Sequence, residues 1–99
     1  GDKRIVDNKD AIIKLVAHYL MNEKNKKNLP INDVCRFHLG NGAIIDDIVI
    51  NANVSDVGFN RSFGVMVNYL YELKNIEKNH EDYINNKHII ISDKLKKKL

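Results

Sequence analysis

The stretch Asp33-Val34-Cys35-Arg36-Phe37-His38-Leu39-Gly40-Asn41-Gly42-Ala43-Ile44-Ile45-Asp46-Asp47-Ile48-Val49-Ile50 reads as a short helix, a glycine turn and a strand in immediate succession. Asn32 or Asp33 can cap the helix, because a side-chain oxygen there accepts from the orphan N–H groups of the first turn. Gly40 is the expected left-handed terminator, followed by a sharp turn at Asn41-Gly42. Residues 43–50 are β-branched at five positions, and strict alternation puts Ile44, Ile48 and Ile50 on one face with Asp46. This is the best strand in the sequence.

Upstream, Asp7-Asn8-Lys9-Asp10 supplies a cap and early negative charge for a helix over about 8–22, in which Ile12, Leu15, Val16, Tyr19 and Leu20 recur at helical spacing. The polar, aperiodic residues at about 22–31 end in the one proline, Pro30, and read as a flexible linker. Downstream, Ser55 or Asp56 opens a second helical region. Phe59, Phe63, Met66, Val67, Leu70 and Leu73 keep helical spacing, so a helix is expected to reach Asn79 or beyond, with a break near Gly58 or Gly64. That stripe reads as core. His88-Ile89-Ile90-Ile91 is a short strand or extended segment, and Ser92 caps a final lysine-rich turn. The expected class is α+β, mostly helical with one or two short strands, in a single segment 1–99. One good strand and one doubtful one do not make a stable sheet. The strand at 43–50 is therefore expected to find its partners outside the chain, in a homo-oligomer or a larger protein.

Composition narrows the function classes. With 99 residues, 43% hydrophobic and 29% charged, the chain has the balance of one small globular domain. Its apolar runs are too short to span a bilayer, and no signal peptide is visible. The single cysteine, Cys35, excludes an internal disulfide, and the Cys and His spacings form no metal framework. The pI near 9.0 comes from the end of the chain: residues 92–99 carry four Lys against one Asp, and the remaining 12 basic and 12 acidic residues cancel. A neutral body argues against nucleic acid as a partner.

Among residues able to do chemistry, His38 stands out, at a helix end beside backbone that a ligand can approach. A lone histidine there is also a common C-terminal cap, so the residues alone leave both roles open. Tyr69 and Tyr71, read on a helix, leave it on different sides, and at least one is ordinary packing. A tyrosine hydroxyl near His38 can orient the imidazole. His18, His80 and His88 read as surface or structural groups. Ser62 and Cys35 have no nucleophile motif around them.

The string Asp33 to Ala43, with its core Phe37-His38-Leu39-Gly40-Asn41-Gly42-Ala43, is followed by Gly64-Val65-Met66-Val67-Asn68-Tyr69-Leu70-Tyr71 and by Asn79-His80-Glu81-Asp82-Tyr83. In this order and spacing the strings resemble the C-terminal end of malonyl-CoA decarboxylase, over about residues 30–92. Val34 stands where the family usually has proline, and Asn51-Ala52-Asn53 lacks its tryptophan. The resemblance implies the C-terminal portion of a catalytic domain with an acetyltransferase-like (GNAT) fold, acting on malonyl-CoA to give acetyl-CoA and CO₂. It maps the family's proton donor onto His38, and Tyr71, the second tyrosine of the Gly64 to Tyr71 string, is expected to hold either His38 or the thioester oxygen by hydrogen bond. Asn41, Gly42 and Asn68, in the same strings, are the implied substrate contacts. The family's catalytic serine lies roughly ninety residues before that histidine, so the resemblance implies that it precedes this chain and that the 99 residues alone are inactive. No cofactor or metal is needed, because the thioester carbonyl delocalises the electrons released with CO₂. The end Lys97-Lys98-Leu99 is a weak form of a peroxisomal address; cytoplasm, mitochondrion and peroxisome all stay open. The alternative from another class is a small helical interaction module that self-associates through the Phe59–Leu73 stripe and the unpaired strand.

Overall fold

The computed structural model of the chain describes residues 2–50 and 64–99, with side chains from residue 9 onward. The long amphipathic helix α1 spans Asp2–Asn22. Its core face is Ile13, Ala17 and Leu20, with Val16 packed alongside, while Leu15 and Tyr19, expected on that face, are exposed. The stretch expected as a flexible linker is a closed, hydrogen-bonded loop. The Asn25 side chain accepts from the N–H groups of Lys27 and Leu29, and an antiparallel bridge joins Lys24 to Pro30.

Helix α2, Asp33–Gly40, begins at Asn32, whose Oδ1 accepts from the Cys35 N–H at 2.9 Å. Gly40 is its last helical residue, and the left-handed position falls at Gly42, with φ 93°. The difference has a packing cause. A Cβ on Gly42 would lie 2.5 Å from the carbonyl oxygen of Ile76, so the turn presses its α-carbon against the start of the next helix.

Strand β1, Ile44–Ile50, pairs antiparallel with β2, Val65–Leu70. This corrects two expectations. The helix expected through Met66, Val67 and Leu70 is a strand there, and the partner that β1 needs lies within the chain. Val65, Val67 and Tyr69 pack inward while Met66, Asn68 and Leu70 are exposed, a period of two that the stripe's helical spacing concealed. Cross-strand pairing, which spacing along one segment does not reveal, settles β2. Gly64, at φ 74°, breaks the chain just before it. Residues 51–63 lie outside the described residues, and with them Ser55, Asp56, Gly58, Phe59, Ser62 and Phe63. The Phe59–Leu73 stripe is therefore not one helical face. An oligomer inferred from an unpaired strand loses that basis.

The register slips by one residue between Ile45 and Asp47, so Asp46 is the extra residue of a β-bulge. Residues three apart on a regular strand face opposite sides, yet Ile45 and Ile48 are both in the core, 1% and 0% exposed. The bulge makes that possible. It also explains why Ile45, Ile48 and Ile50 share the inner face in place of Ile44, Ile48 and Ile50.

Beyond a turn, α3 runs Ile76–Asn86 and ends at Lys87 in a left-handed cap. The segment after it is extended, as expected. It lies parallel to β1, with the Ile45 N–H donating to Ile90 O and the Ser92 N–H to Ile45 O, each at 3.0 Å. Ser92 caps the short helix α4, Asp93–Lys96, and its hydroxyl donates to the Asp46 carbonyl at the bulge. Leu95 on α4 is fully buried in the same core. The lysine-rich end is bound to the strand: Lys94 reaches Asp46 at 3.1 Å and Lys98 reaches Asp47 at 2.8 Å. Burial pushes the Asp47 carboxyl up, but Lys98, the Ile48 N–H and the charge of Lys94 outweigh it, and the group sits below the usual carboxylate range. No helix among the described residues is long and apolar enough to cross a membrane.

Two outcomes follow from this packing. Gly42→Ala must adopt an unfavourable φ and displace Ile76, and should cost at least about 2 kcal/mol, lowering the melting temperature by about 8 °C or more. An unchanged melting curve would contradict the turn. For Asp47, a folded-state pKa below the unfolded one contributes stability above the ordinary value of about 3.9 and loses it as the pH falls through the folded value. Asp47→Asn should therefore lower the melting temperature at pH 7 by about 4–8 °C, and the two melting curves should converge as the pH is taken below about 4.

Candidate active site

Cys35 and His38 are three residues apart on α2 and share a face of the helix. That face looks onto the end of β2. Leu39, next to His38, is buried and fixes the rotation of α2 against β1. The end of the helix is tied down by three side chains. Asn41 Nδ2 donates to Phe37 O at 2.9 Å, Asn79 Nδ2 donates to Gly42 O at 3.2 Å, and His80 Nδ1 lies 2.6 Å from Gly40 O. A carbonyl only accepts, so His80 carries its hydrogen on Nδ1. The first turns of α3 thus clamp the glycine turn that follows His38.

The His38 ring meets aromatic groups on three sides. Its Nδ1 is 2.6 Å from the Tyr71 hydroxyl. Its face stacks on Tyr69, with ring centroids 4.3 Å apart and 19° between planes. Phe37 stands edge-on at 5.2 Å. Tyr69 and Tyr71 were expected on different sides of a helix; on a strand and its extension, residues two apart point the same way, and both rings reach His38. With Nδ1 engaged by Tyr71, the imidazole is oriented about a fixed axis. Among the described residues Nε2 has no hydrogen-bond partner. An imidazole held by one nitrogen and open at the other is the arrangement of a proton donor or acceptor.

Other expected site residues are placed differently. The Asn41 amide is engaged with Phe37 O. The space that Gly42 leaves is taken up by Ile76. Asn68 is exposed on the face of β2 opposite Tyr69. Cys35 is fully buried; burial pushes its thiol up, opposed by the neighbouring Tyr69 hydroxyl and the charge of Lys24, which suits a packed side chain better than a nucleophile. His18 lies 3.2 Å from Asn22. His88 pairs with Asp82 at 2.6 Å, and hydrogen bonds from Asn86 and then His88 hold that carboxyl low. No group of three potential metal ligands occurs among the described residues.

Reading the sequence alone missed two contributions, the clamp by Asn79 and His80 and the stack by Tyr69. The clamp residues stood in the string Asn79 to Tyr83, whose spacing gives no hint of a contact forty residues back. Tyr69 required knowing that its segment is a strand.

Comparison with known proteins identifies the family. Residues 2–99 match the family model described as the malonyl-CoA decarboxylase C-terminal domain. Over 84 residues, 85% of the chain, it is 37% identical to "Malonyl-CoA decarboxylase, mitochondrial" of Rattus norvegicus, covering 17% of that protein. The identity to the protein of the same name from Anser anser anser is also 37%, over 16% of its length. Among solved structures, malonyl-CoA decarboxylase from Rhodopseudomonas palustris superposes with a TM-score of 0.80 at 38% identity, covering 91% of this chain and 21% of that one. The enzyme from Agrobacterium vitis gives 0.83 at 33%, covering 98% and 24%. The chain thus spans about a fifth of the length of the relatives it matches. A match over nearly its whole length to the model of the family's C-terminal domain, together with superposable structures above 30% identity, shows that the chain belongs to the malonyl-CoA decarboxylase family.

Proposed function

We propose that this chain is the proton-donating part of a malonyl-CoA decarboxylase whose CoA-binding elements and catalytic serine lie in the remaining sequence, and that the complete catalytic domain is acetyltransferase-like. The observation that supports this reading is the 2.6 Å contact between His38 Nδ1 and the Tyr71 hydroxyl, made by two residues of the strings that resemble the family. In the reaction the C–C bond to the carboxylate breaks, CO₂ leaves, and the electron pair passes into the thioester carbonyl as an enolate. Protonated His38, its Nδ1–H donating to Tyr71 O, delivers the Nε2 proton to the former C2. The enolate becomes acetyl-CoA and the imidazole is left neutral, to be recharged from solvent. No oxidant, metal or organic cofactor enters this balance. The 99 residues alone are expected to be inactive.

Within the full-length enzyme, His38→Asn should lower kcat by roughly 10² to 10⁴, measured as acetyl-CoA formed from malonyl-CoA by a variant with an unchanged melting curve. Tyr71→Phe removes one hydrogen bond and should cost about tenfold in kcat. Undiminished turnover in His38→Asn would reduce that residue to a helix cap.

A further inference from the structure

The Tyr71 contact fixes only one nitrogen of His38. An imidazole held at one atom can still swing its plane about that bond, and the open Nε2 would swing with it. Stacking removes that freedom: the Tyr69 and His38 ring centroids are 4.3 Å apart and the rings nearly parallel, at 19°. Tyr69 is itself held. Its backbone is paired with Ile45 in the sheet, its ring is packed against the core, and its hydroxyl neighbours the thiol of Cys35. Because Cys35 and His38 lie on the same face of α2, Tyr69 meets the helix at two successive points, its hydroxyl beside Cys35 and its ring face against His38. Burial first, and Cys35 second, push the Tyr69 hydroxyl far above its ordinary range, so it stays neutral and serves as an anchor.

We propose that Tyr69 is a positioning residue for His38, setting the plane of the imidazole so that Nδ1 meets Tyr71 and Nε2 is presented to the substrate carbon. The inference rests on the proton-donor reading above. It adds a residue that touches no reacting atom and acts through His38 alone. It also divides the work of the Tyr69-Leu70-Tyr71 segment: Tyr71 fixes an atom, Tyr69 fixes a plane.

Two variants and one spectroscopic signature test it. Tyr69→Phe keeps the stack and loses only the hydroxyl; Tyr69→Leu keeps apolar volume and loses the stack. In the full-length enzyme, Tyr69→Leu should lower kcat roughly 10- to 100-fold with KM changed by no more than about twofold, and Tyr69→Phe should recover turnover to within about threefold of the unmutated enzyme. In the 99-residue chain, proton NMR should show the His38 ring protons displaced upfield by the Tyr69 ring current. That displacement should persist in Tyr69→Phe and vanish in Tyr69→Leu. Absence of the upfield displacement from the unmutated chain would overturn the proposal even if Tyr69→Leu failed to fold. So would loss of the displacement in Tyr69→Leu with kcat unchanged, or an equal fall in Tyr69→Phe. Failure of the proton-donor reading looks different: His38→Asn would then turn over normally while the ring-current signature stayed in place.

Discussion

The contact between Gly42 and Ile76 holds the site together. At this point the end of α2, the start of β1 and the start of α3 converge on one α-carbon, and no side chain fits between it and the Ile76 carbonyl. From there Asn79 and His80 reach the carbonyls of Gly42 and Gly40, and the helix that carries His38 is fixed at its C-terminal end. The turn's glycine therefore acts through packing. The space that its missing side chain leaves is filled by Ile76.

A second constraint is electrostatic. Asp46 and Asp47 sit at the bulge of β1, one of them buried, where two adjacent carboxylates on a core strand would be unfavourable without partners. The lysine-rich end supplies those partners through Lys94 and Lys98, and Leu95 anchors between them in the core. The excess positive charge that dominates the composition is thus partly internal compensation. The core and the ion pairs favour the same docking of the last eight residues, each making the other more favourable.

Much of this was legible from local chemistry. The Asn32 cap, the strand at 44–50, the extended segment after His88 and the Ser92 cap all follow from residue types over a few positions, and His38 stood out because an imidazole there lies beside backbone that a ligand can approach. What stayed hidden depends on contacts distant in sequence. Val65 to Leu70 carries apolar residues compatible with either period, and only pairing with β1 decides between them. The bulge at Asp46 is invisible in a run of isoleucines, where any register buries something apolar. Tyr69 could not be seen as a neighbour of His38 while its segment was read as a helix, since helical geometry separates the two tyrosines that a strand aligns. The order of the strings Phe37 to Ala43 and Gly64 to Tyr71 carried the family, but their spacing alone did not bring the rings together.

The bulge has a consequence for how this segment can vary. Because Asp46 is the residue that lets Ile45 and Ile48 face inward together, the backbone at that position matters more than its side chain. Deleting Asp46 would leave Ile45 and Ile48 two apart on a regular strand, still on the inner face opposite Tyr69 and Val67, but would remove the carbonyl that accepts from the Ser92 hydroxyl. The extra residue thus gives the strand a backbone acceptor for the end of the chain while the order of the core face is kept.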